Sequence, residues 1–142
     1  MAEQISIFIE NKEGRLAEVT AILRDAGVNI RALSLADTTD FGVLRLIVND
    51  NDKATAALRN QGFTVGKTRV LAVEVNDEPG GLNQVLDPLS EQDVNVEYMY
   101  AFANPQCKNA IMIFRFDDIE KAKVILAKQG IKVIETEEIS KL

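Results

Sequence analysis

The sequence predicts an α+β protein that carries the element order β-α-β-β-α-β twice within 142 residues. The first observation is an internal repeat. Residues 5–36 match residues 71–102 at six of 32 positions, and residues 42–65 match residues 110–133 at seven of 24. The second is the alternation of apolar and polar residues in short segments, and the third is apolar residues at helical spacing between them. Because such a repeat marks separate structural units, two domains are predicted, residues 1–67 and 68–142.

The same elements can be followed along both copies. Apolar residues alternate over Ile5–Ile9 and Leu71–Val75, which predicts a half-buried first strand, and apolar stripes over Leu16–Leu23 and Leu82–Leu89 predict the first helix. In the first copy the second strand is predicted over Val28–Asp37 and the third over Val43–Val48. A helix follows over Asp50–Gly62, and a fourth strand over Phe63–Lys67. Their counterparts are Val94–Ala103, Ile111–Phe116, a helix that opens at Asp117 or Asp118 and ends at Gly130, and Ile131–Glu135.

This order of elements is the ferredoxin-like plan. Right-handed crossovers predict an antiparallel sheet in the strand order 4-1-3-2, with both helices on one face. The second strand then lies at an edge of the sheet, and exposed edges invite pairing. We therefore expect the two domains to pair side by side.

Composition excludes several classes of function. The chain has no histidine and one cysteine, Cys107, so nitrogen- and sulfur-ligated metal sites and Ser–His or Cys–His nucleophiles are not expected. No glycine-rich phosphate-binding motif occurs, and we expect no cofactor. The net charge is −6 and no basic cluster occurs, so nucleic acid is not an expected partner. Without a segment typical of a membrane span or a signal peptide, the sequence favours a cytoplasmic protein that does not bind membranes.

The turn from the first strand to the first helix is the candidate binding site in each copy. Gly14 and Gly80 allow a ligand to approach the backbone, and the helix behind them offers unpaired N–H groups that suit a carboxylate. Asn29 and Asn95 follow each glycine by fifteen residues and precede the second strand, on what we expect to be the same edge of the fold. An asparagine amide both donates and accepts hydrogen bonds, so it can bind a carboxylate or an ammonium group.

Each of these residues also has a purely structural interpretation. Asn11 and Asp77 can be N-caps of the first helix of their copies, and for Asp77 this explanation is at least as good as ligand contact. The glycines can serve turn geometry alone, and the asparagines can simply close a helix–strand turn. The functional interpretation is favoured because all three features recur together at constant spacing.

These segments resemble the ACT domain. The resemblance is carried by N-x-x-G-x-L at Asn11–Leu16, D-x-P-G-x-L at Asp77–Leu82, and the segments Gly27–Ile30 and Asp93–Val96. It covers almost the whole chain, twice, as a tandem ACT protein without an attached catalytic domain. It implies a ferredoxin-like fold that binds amino acids or similar small metabolites where two ACT domains pair.

The resemblance also implies a set of ligand contacts. In this family they come from the first loop of one domain and the start of the second strand of its partner. The contacts implied here are Asn11, Gly14, Leu16, Asn29, Ile30, Asp77, Gly80, Leu82, Asn95 and Val96.

The chain departs from the family pattern at several positions, and the two copies differ from each other. Glu13 stands in place of the usual proline, and Arg15 is matched by Gly81 in the second copy. Asn11 is matched by the charged Asp77, so the two sites should differ and one could be vacant. Three aromatic residues alternate on the second strand of the second copy, namely Tyr98, Tyr100 and Phe102. Core packing is the commoner role of such residues, and the alternative is that they shape a binding pocket.

We therefore expect a non-enzymatic regulatory protein that binds an amino acid and acts on a metabolic enzyme. One alternative is an interaction module that binds another protein without a ligand. A less favoured alternative is a small acylphosphatase-like hydrolase, for which Arg15 is the only candidate phosphate-binding arginine. The sequence leaves open the identity of the metabolite, the number of occupied sites, the partner enzyme and assembly into a homo-oligomer.

Overall fold

A computed structural model describes residues 2–37, 40–102 and 109–141 of the chain. Cys107 lies outside these residues, as do the predicted strand end at Ala103 and most of the two loops in which the copies differ in length. In the part of the chain that the structure describes, every helix is too short or too polar to span a bilayer.

The chain divides into two compact units between Thr68 and Arg69, a point that lies within the fourth strand. The first unit, Glu3–Thr68, comprises β1 (Ala2–Glu10) apart from Ala2, α1 (Arg15–Asp25), β2 (Ile30–Asp37), β3 (Phe41–Val48), α2 (Asn51–Asn60) and the first residues of β4 (Thr64–Val75). The second comprises the remainder of β4, α3 (Gly81–Glu91), β5 (Val96–Phe102), β6 (Ala110–Phe116), α4 (Ile119–Lys128), β7 (Val133–Ile134) and α5 (Thr136–Lys141).

The strand order confirms the predicted ferredoxin-like plan in both units. It is β4-β1-β3-β2 in the first unit and β7-β4-β6-β5 in the second. Equivalent residues pair in equivalent places: Ile5 lies opposite Leu46, and Leu71 lies opposite Phe114. Both units also have a register shift one residue into the second strand, between positions 30 and 32 and between positions 96 and 98. Since bulges are specific features of a sheet, their repetition supports a true duplication.

Two predicted elements differ from the structure. A separate fourth strand that ends at Lys67 is wrong, because β4 continues without a break to Val75. The β-branched residues at positions 64, 65, 68 and 70 favour extended backbone throughout this segment. The fourth strand of the second copy is only two residues long, and the helix α5 that follows it was not predicted.

Each unit has its own apolar core between its sheet and its helices. In the first unit the alternating isoleucines of β1 pack with Val19 and Leu23 of α1 and Leu58 of α2. In the second unit the alternating residues of β4 pack with the equivalent helix positions, Val85, Leu89 and Leu126. These cores fix α1 and α3 over the sheet and therefore fix the turns that lead into them.

Candidate functional site

The turns from β1 to α1 and from β4 to α3 have the same backbone conformation. Gly14 and Gly80 are the N-cap residues, with φ of 82° and 84°. This left-handed conformation favours glycine, and a Cβ at either position would meet no atom within 4 Å. The prediction that Asn11 and Asp77 cap the helices is therefore wrong, because each lies three residues before the N-cap.

The helices that follow these turns start without a side-chain cap. In contrast, α2 and α4 are capped by Asp50 and Asp118, whose carboxylates accept hydrogen bonds from the backbone N–H groups of Lys53 and Lys121 at 3.0 and 3.1 Å. No side chain does this for α1 or α3. Unbonded N–H groups at a helix start attract anions. The starts of α1 and α3 can therefore bind an anion, whereas at α2 and α4 a carboxylate of the chain already accepts from one of these N–H groups.

The second turn borders a groove of about 460 Å³. The groove brings together two of the predicted site residues, Asp77 and Leu82. Its apolar wall is formed by Val75 of β4 and by Ala110 and Met112 of β6, none of which was predicted as a site residue. The sequence did hold a signal for this wall, because Val75 pairs with Ala110 and the alternation of β6 places Met112 on the same face.

The leucines of the predicted site occupy equivalent positions on the two helices. Leu16 is 37% exposed and Leu82 is 36% exposed, and each is the second residue of its helix. The structure records no hydrogen-bond partner, among the described residues, for the backbone N–H groups of Leu82 and Asn83. An apolar side chain and free N–H groups therefore lie together at the start of α3.

Asn29 and Asn95 do not lie beside the glycine turns of their own units, so the expectation of a shared edge is wrong. In the first unit the end of β1 pairs with Phe41 at the start of β3, whereas the start of β2, at Ile30, pairs with Val48 at the end of β3. The antiparallel registers thus place Asn29 at the opposite end of the sheet from Gly14. The second unit repeats this arrangement, in which Val96 pairs with Phe116.

Both asparagines are held through their backbones. The backbone N–H of Asn29 donates to Oδ1 of Asn49 at 2.9 Å, and that of Asn95 donates to Oδ1 of Asp117 at 3.0 Å. The two side chains are exposed. The next residues, Ile30 and Val96, are partly buried and pack against the cores. A fixed backbone with an exposed amide is compatible with a role in binding a group from outside the unit.

Charged side chains distinguish the first turn. Nη1 of Arg15 lies 3.0 Å from Oε2 of Glu18, and Nη2 lies 3.4 Å from Oε1 of Glu10. Because two carboxylates already hold this guanidinium, it is a poor candidate for the phosphate-binding group of an acylphosphatase. In the second unit the equivalent residue is Gly81, where a Cβ would overlap the backbone carbonyl of Asn76.

The aromatic residues of β5 lie on the face of the sheet away from the helices. Tyr100 pairs with Ile113 and Phe102 pairs with Ile111, and both are largely buried although neither belongs to the helix-side core. Tyr98 is partly buried and pairs with Arg115. Packing is therefore the observed role of Tyr100 and Phe102. The described residues contain no group of acidic, cysteine or histidine side chains that could hold a metal ion.

The duplicated strand order, the glycine turns and the uncapped first helices together define a tandem ferredoxin-like protein of the ACT class. The chain belongs to the ACT domain pair family, which matches residues 1–142. No curated protein matches it in sequence.

Several solved structures resemble the chain. The crystal structure of a protein from Bacteroides thetaiotaomicron is 40% identical, has a TM-score of 0.93, and aligns over 99% of this chain and 96% of that one. The regulatory subunit of aspartate kinase from Thermus thermophilus, in its ligand-free form, is 15% identical over 89% of this chain and 91% of that one, with a TM-score of 0.63. Its counterpart from Thermus flavus is 15% identical over 90% of each chain, with a TM-score of 0.64. At these identities the two Thermus proteins share the fold.

Proposed function

We propose that this chain is a non-enzymatic regulatory protein of the cytoplasm that binds an amino acid or a similar small metabolite. Its ACT domains are residues 1–67 and 68–142, and the ligand binds where the domains pair side by side. The partner that it regulates is a metabolic enzyme, by analogy with the kinase whose regulatory subunits have this fold.

The observation that carries the proposal is the uncapped start of α3 beside the groove lined by Asp77 and Leu82. The carboxylate of an amino acid can accept hydrogen bonds from the free N–H groups of α3. Its ammonium group can pair with the Asp77 carboxylate, and an apolar side chain can contact Leu82 and Met112. The volume of about 460 Å³ suits a ligand of this size.

A thermal-shift panel of the standard amino acids tests the proposal. A ligand at roughly 100 times its Kd adds about 2.7 kcal/mol to the free energy of unfolding, which raises Tm by roughly 5–10 °C for a protein of this size. Absence of a shift with every amino acid at concentrations of tens of millimolar contradicts the proposal. A shift with one amino acid identifies the ligand.

Variants then locate the site. Asp77→Asn and Leu82→Ala should weaken binding at the second turn, and Leu16→Ala should do so at the first. Asp118→Asn is the matched control, because it removes the same charge from the same unit at a helix start that lies outside the groove. Asn29→Ala and Asn95→Ala test whether the start of a second strand completes the site of another domain.

A second candidate function is an interaction module that needs no ligand. It is favoured by Leu33 and Leu35, which are 50% and 49% exposed on β2, the last strand in the order of the first unit. Apolar residues on an edge strand favour pairing with another chain. If Leu33→Ser and Leu35→Ser abolish binding to the partner enzyme while an amino acid has no effect on it, this second function replaces the first.

A further inference from the structure

Each unit has a cleft between the start of its first helix and the turn that follows its second helix. We call them the first cleft, lined in part by Glu10, Arg15, Phe41, Gln61 and Thr64, and the second cleft, lined in part by Asn76, Gly81, Asn109, Gln129 and Lys132. Their volumes are about 330 and 310 Å³. These residues match one by one at the two spacings of the internal repeat, so the clefts are copies of one feature.

In the first cleft the chain supplies its own cation. The guanidinium of Arg15 bridges the carboxylates of Glu10 and Glu18, at 3.4 and 3.0 Å. The Arg15 side chain is 29% exposed, less than the side chains of Glu10 and Glu18 at 52% and 47%. The first cleft thus shows what this backbone arrangement can hold, which is a planar cation with several N–H donors.

The second cleft lacks that cation and has amides in place of the two carboxylates. Gly81 stands at the position of Arg15, and the two carboxylates are replaced by the amides of Asn76 and Gln84. Nδ2 of Asn76 donates to Oε1 of Gln84 at 3.2 Å, so the two amides bond directly to each other where the first cleft has two carboxylates on Arg15. This leaves Oδ1 of Asn76 without a recorded donor among the described residues.

One carboxylate restores negative charge to the second cleft. Glu74 lines it, where the first cleft has Phe8, and its Oε1 accepts from Nδ2 of Asn109 at 3.4 Å. The other charged residue of the lining is Lys132, whose Nζ lies 3.7 Å from Oε2 of Glu138. Glu74 is the carboxylate of this lining, and the ammonium group of Lys132 is paired with Glu138, which does not line the cleft.

We propose that the second cleft binds the guanidinium group of a small molecule in the position that Arg15 takes in the first cleft. The guanidinium replaces the Asn76 amide as the donor to Oε1 of Gln84, and it also donates to the Glu74 carboxylate and to Oδ1 of Asn76. This site adjoins the one in the proposed function, because Val75 and Asn76 line both, but it binds a different group. It takes a cation, whereas the start of α3 beside Asp77 takes a carboxylate.

The test is an NMR titration of the full chain with methylguanidinium, which has no carboxylate and therefore does not probe the amino-acid site. We expect saturable shifts at the backbone N–H of Gly81 and at the side-chain amides of Asn76 and Gln84. Urea, a neutral molecule of the same shape, should give no saturable shift at these groups. Absence of a saturable shift with methylguanidinium up to about 50 mM overturns the proposal, since that concentration would detect even millimolar affinity.

Two variants make the test specific. Glu74→Gln should weaken methylguanidinium binding by roughly fivefold or more, because a charge-assisted hydrogen bond becomes a neutral one. Glu91→Gln, at the far end of α3, lowers the net negative charge equally and should leave the affinity unchanged. Equal affinities in wild type and Glu74→Gln overturn the proposal.

The first cleft provides an internal reference. In Arg15→Ala, methylguanidinium should bind between Glu10 and Glu18 and produce new shifts there, in addition to those at Gly81. If new shifts appear in the first cleft while the resonances of the second cleft do not shift, the second cleft is not a guanidinium site. If no amino acid shifts Tm in the thermal-shift panel, the methylguanidinium result is unaffected. The two proposals can therefore be contradicted independently.

Discussion

The two strand-to-helix turns share a backbone and differ in the side chains placed on it. Both have a glycine N-cap with φ near 83°, both lead into a helix without a side-chain cap, and both follow a strand in the same register with its neighbour. The first turn carries the ion-paired Arg15 between two glutamates. The second carries Gly81 between two amides.

The difference extends to how tightly each turn closes. The backbone N–H of Arg15 donates to the carbonyl of Lys12 at 3.4 Å, whereas that of Gly81 donates to the carbonyl of Glu78 at 3.0 Å. Loss of the Cβ at Gly81 permits the tighter turn, and the lost side chain leaves the cleft beside it open. The two turns therefore share a backbone, while the position after the glycine N-cap carries an ion-paired side chain in the first turn and no side chain in the second.

The largest expected effect comes from a Cβ at the tighter turn. We expect Gly81→Ala to lower the free energy of unfolding by about 2–3 kcal/mol, because the new methyl group overlaps the Asn76 carbonyl and that backbone is already committed to the turn. Urea denaturation of the full chain measures the loss.

Arg15→Ala is the matched variant at the equivalent position. It removes a solvent-accessible ion pair and should cost less than about 1 kcal/mol. Equal losses for Gly81→Ala and Arg15→Ala would show that the two turns do not differ in tightness, and the comparison would fail.

A smaller effect separates capped from uncapped helix starts. Asp118→Ala should cost about 1 kcal/mol, because Asp118 accepts from the Lys121 N–H at the start of α4. Asp77→Ala should cost only a few tenths of a kcal/mol, because Asp77 is exposed and lies outside the N-cap position of α3. Thermal unfolding of both variants without added ligand checks this. If Asp77→Ala is the more costly of the two, the helix start at α3 depends on Asp77 after all.

Much of the fold could be predicted because the repeat supplied each element twice. Alternation at Ile5–Ile9 and a stripe at Leu16–Leu23 are each weak signals, but their recurrence sixty-six residues later made the strand order predictable. The uninterrupted β4 was missed because the repeat itself suggested a linker near Lys67. Strand propensity of the β-branched residues there was the better guide.

The candidate site was only partly predictable. Gly14 and Gly80 were identified because a position with a left-handed backbone conformation is usually occupied by glycine. Asn29 was placed on the wrong edge because a fixed spacing of fifteen residues says nothing about direction, whereas an eleven-residue helix carries the chain to the far end of the sheet. The second cleft was missed because it depends on side chains from four separate segments, which no single motif contains.

The smallest expected effect concerns the charge at the first turn. At low salt, Arg15→Gln should lower the free energy of unfolding by roughly 0.5 kcal/mol, because Glu18 loses its partner while Glu10 keeps Lys12 at 3.5 Å. At about 1 M salt this loss should nearly vanish, since exposed ion pairs are screened over about 3 Å. Gln84→Ala, at the position equivalent to Glu18, removes a neutral hydrogen bond and should cost the same at both salt concentrations. Urea denaturation at the two salt concentrations measures both variants, and a salt-independent loss for Arg15→Gln would mean that Arg15 acts by packing in its cleft and not by its charge.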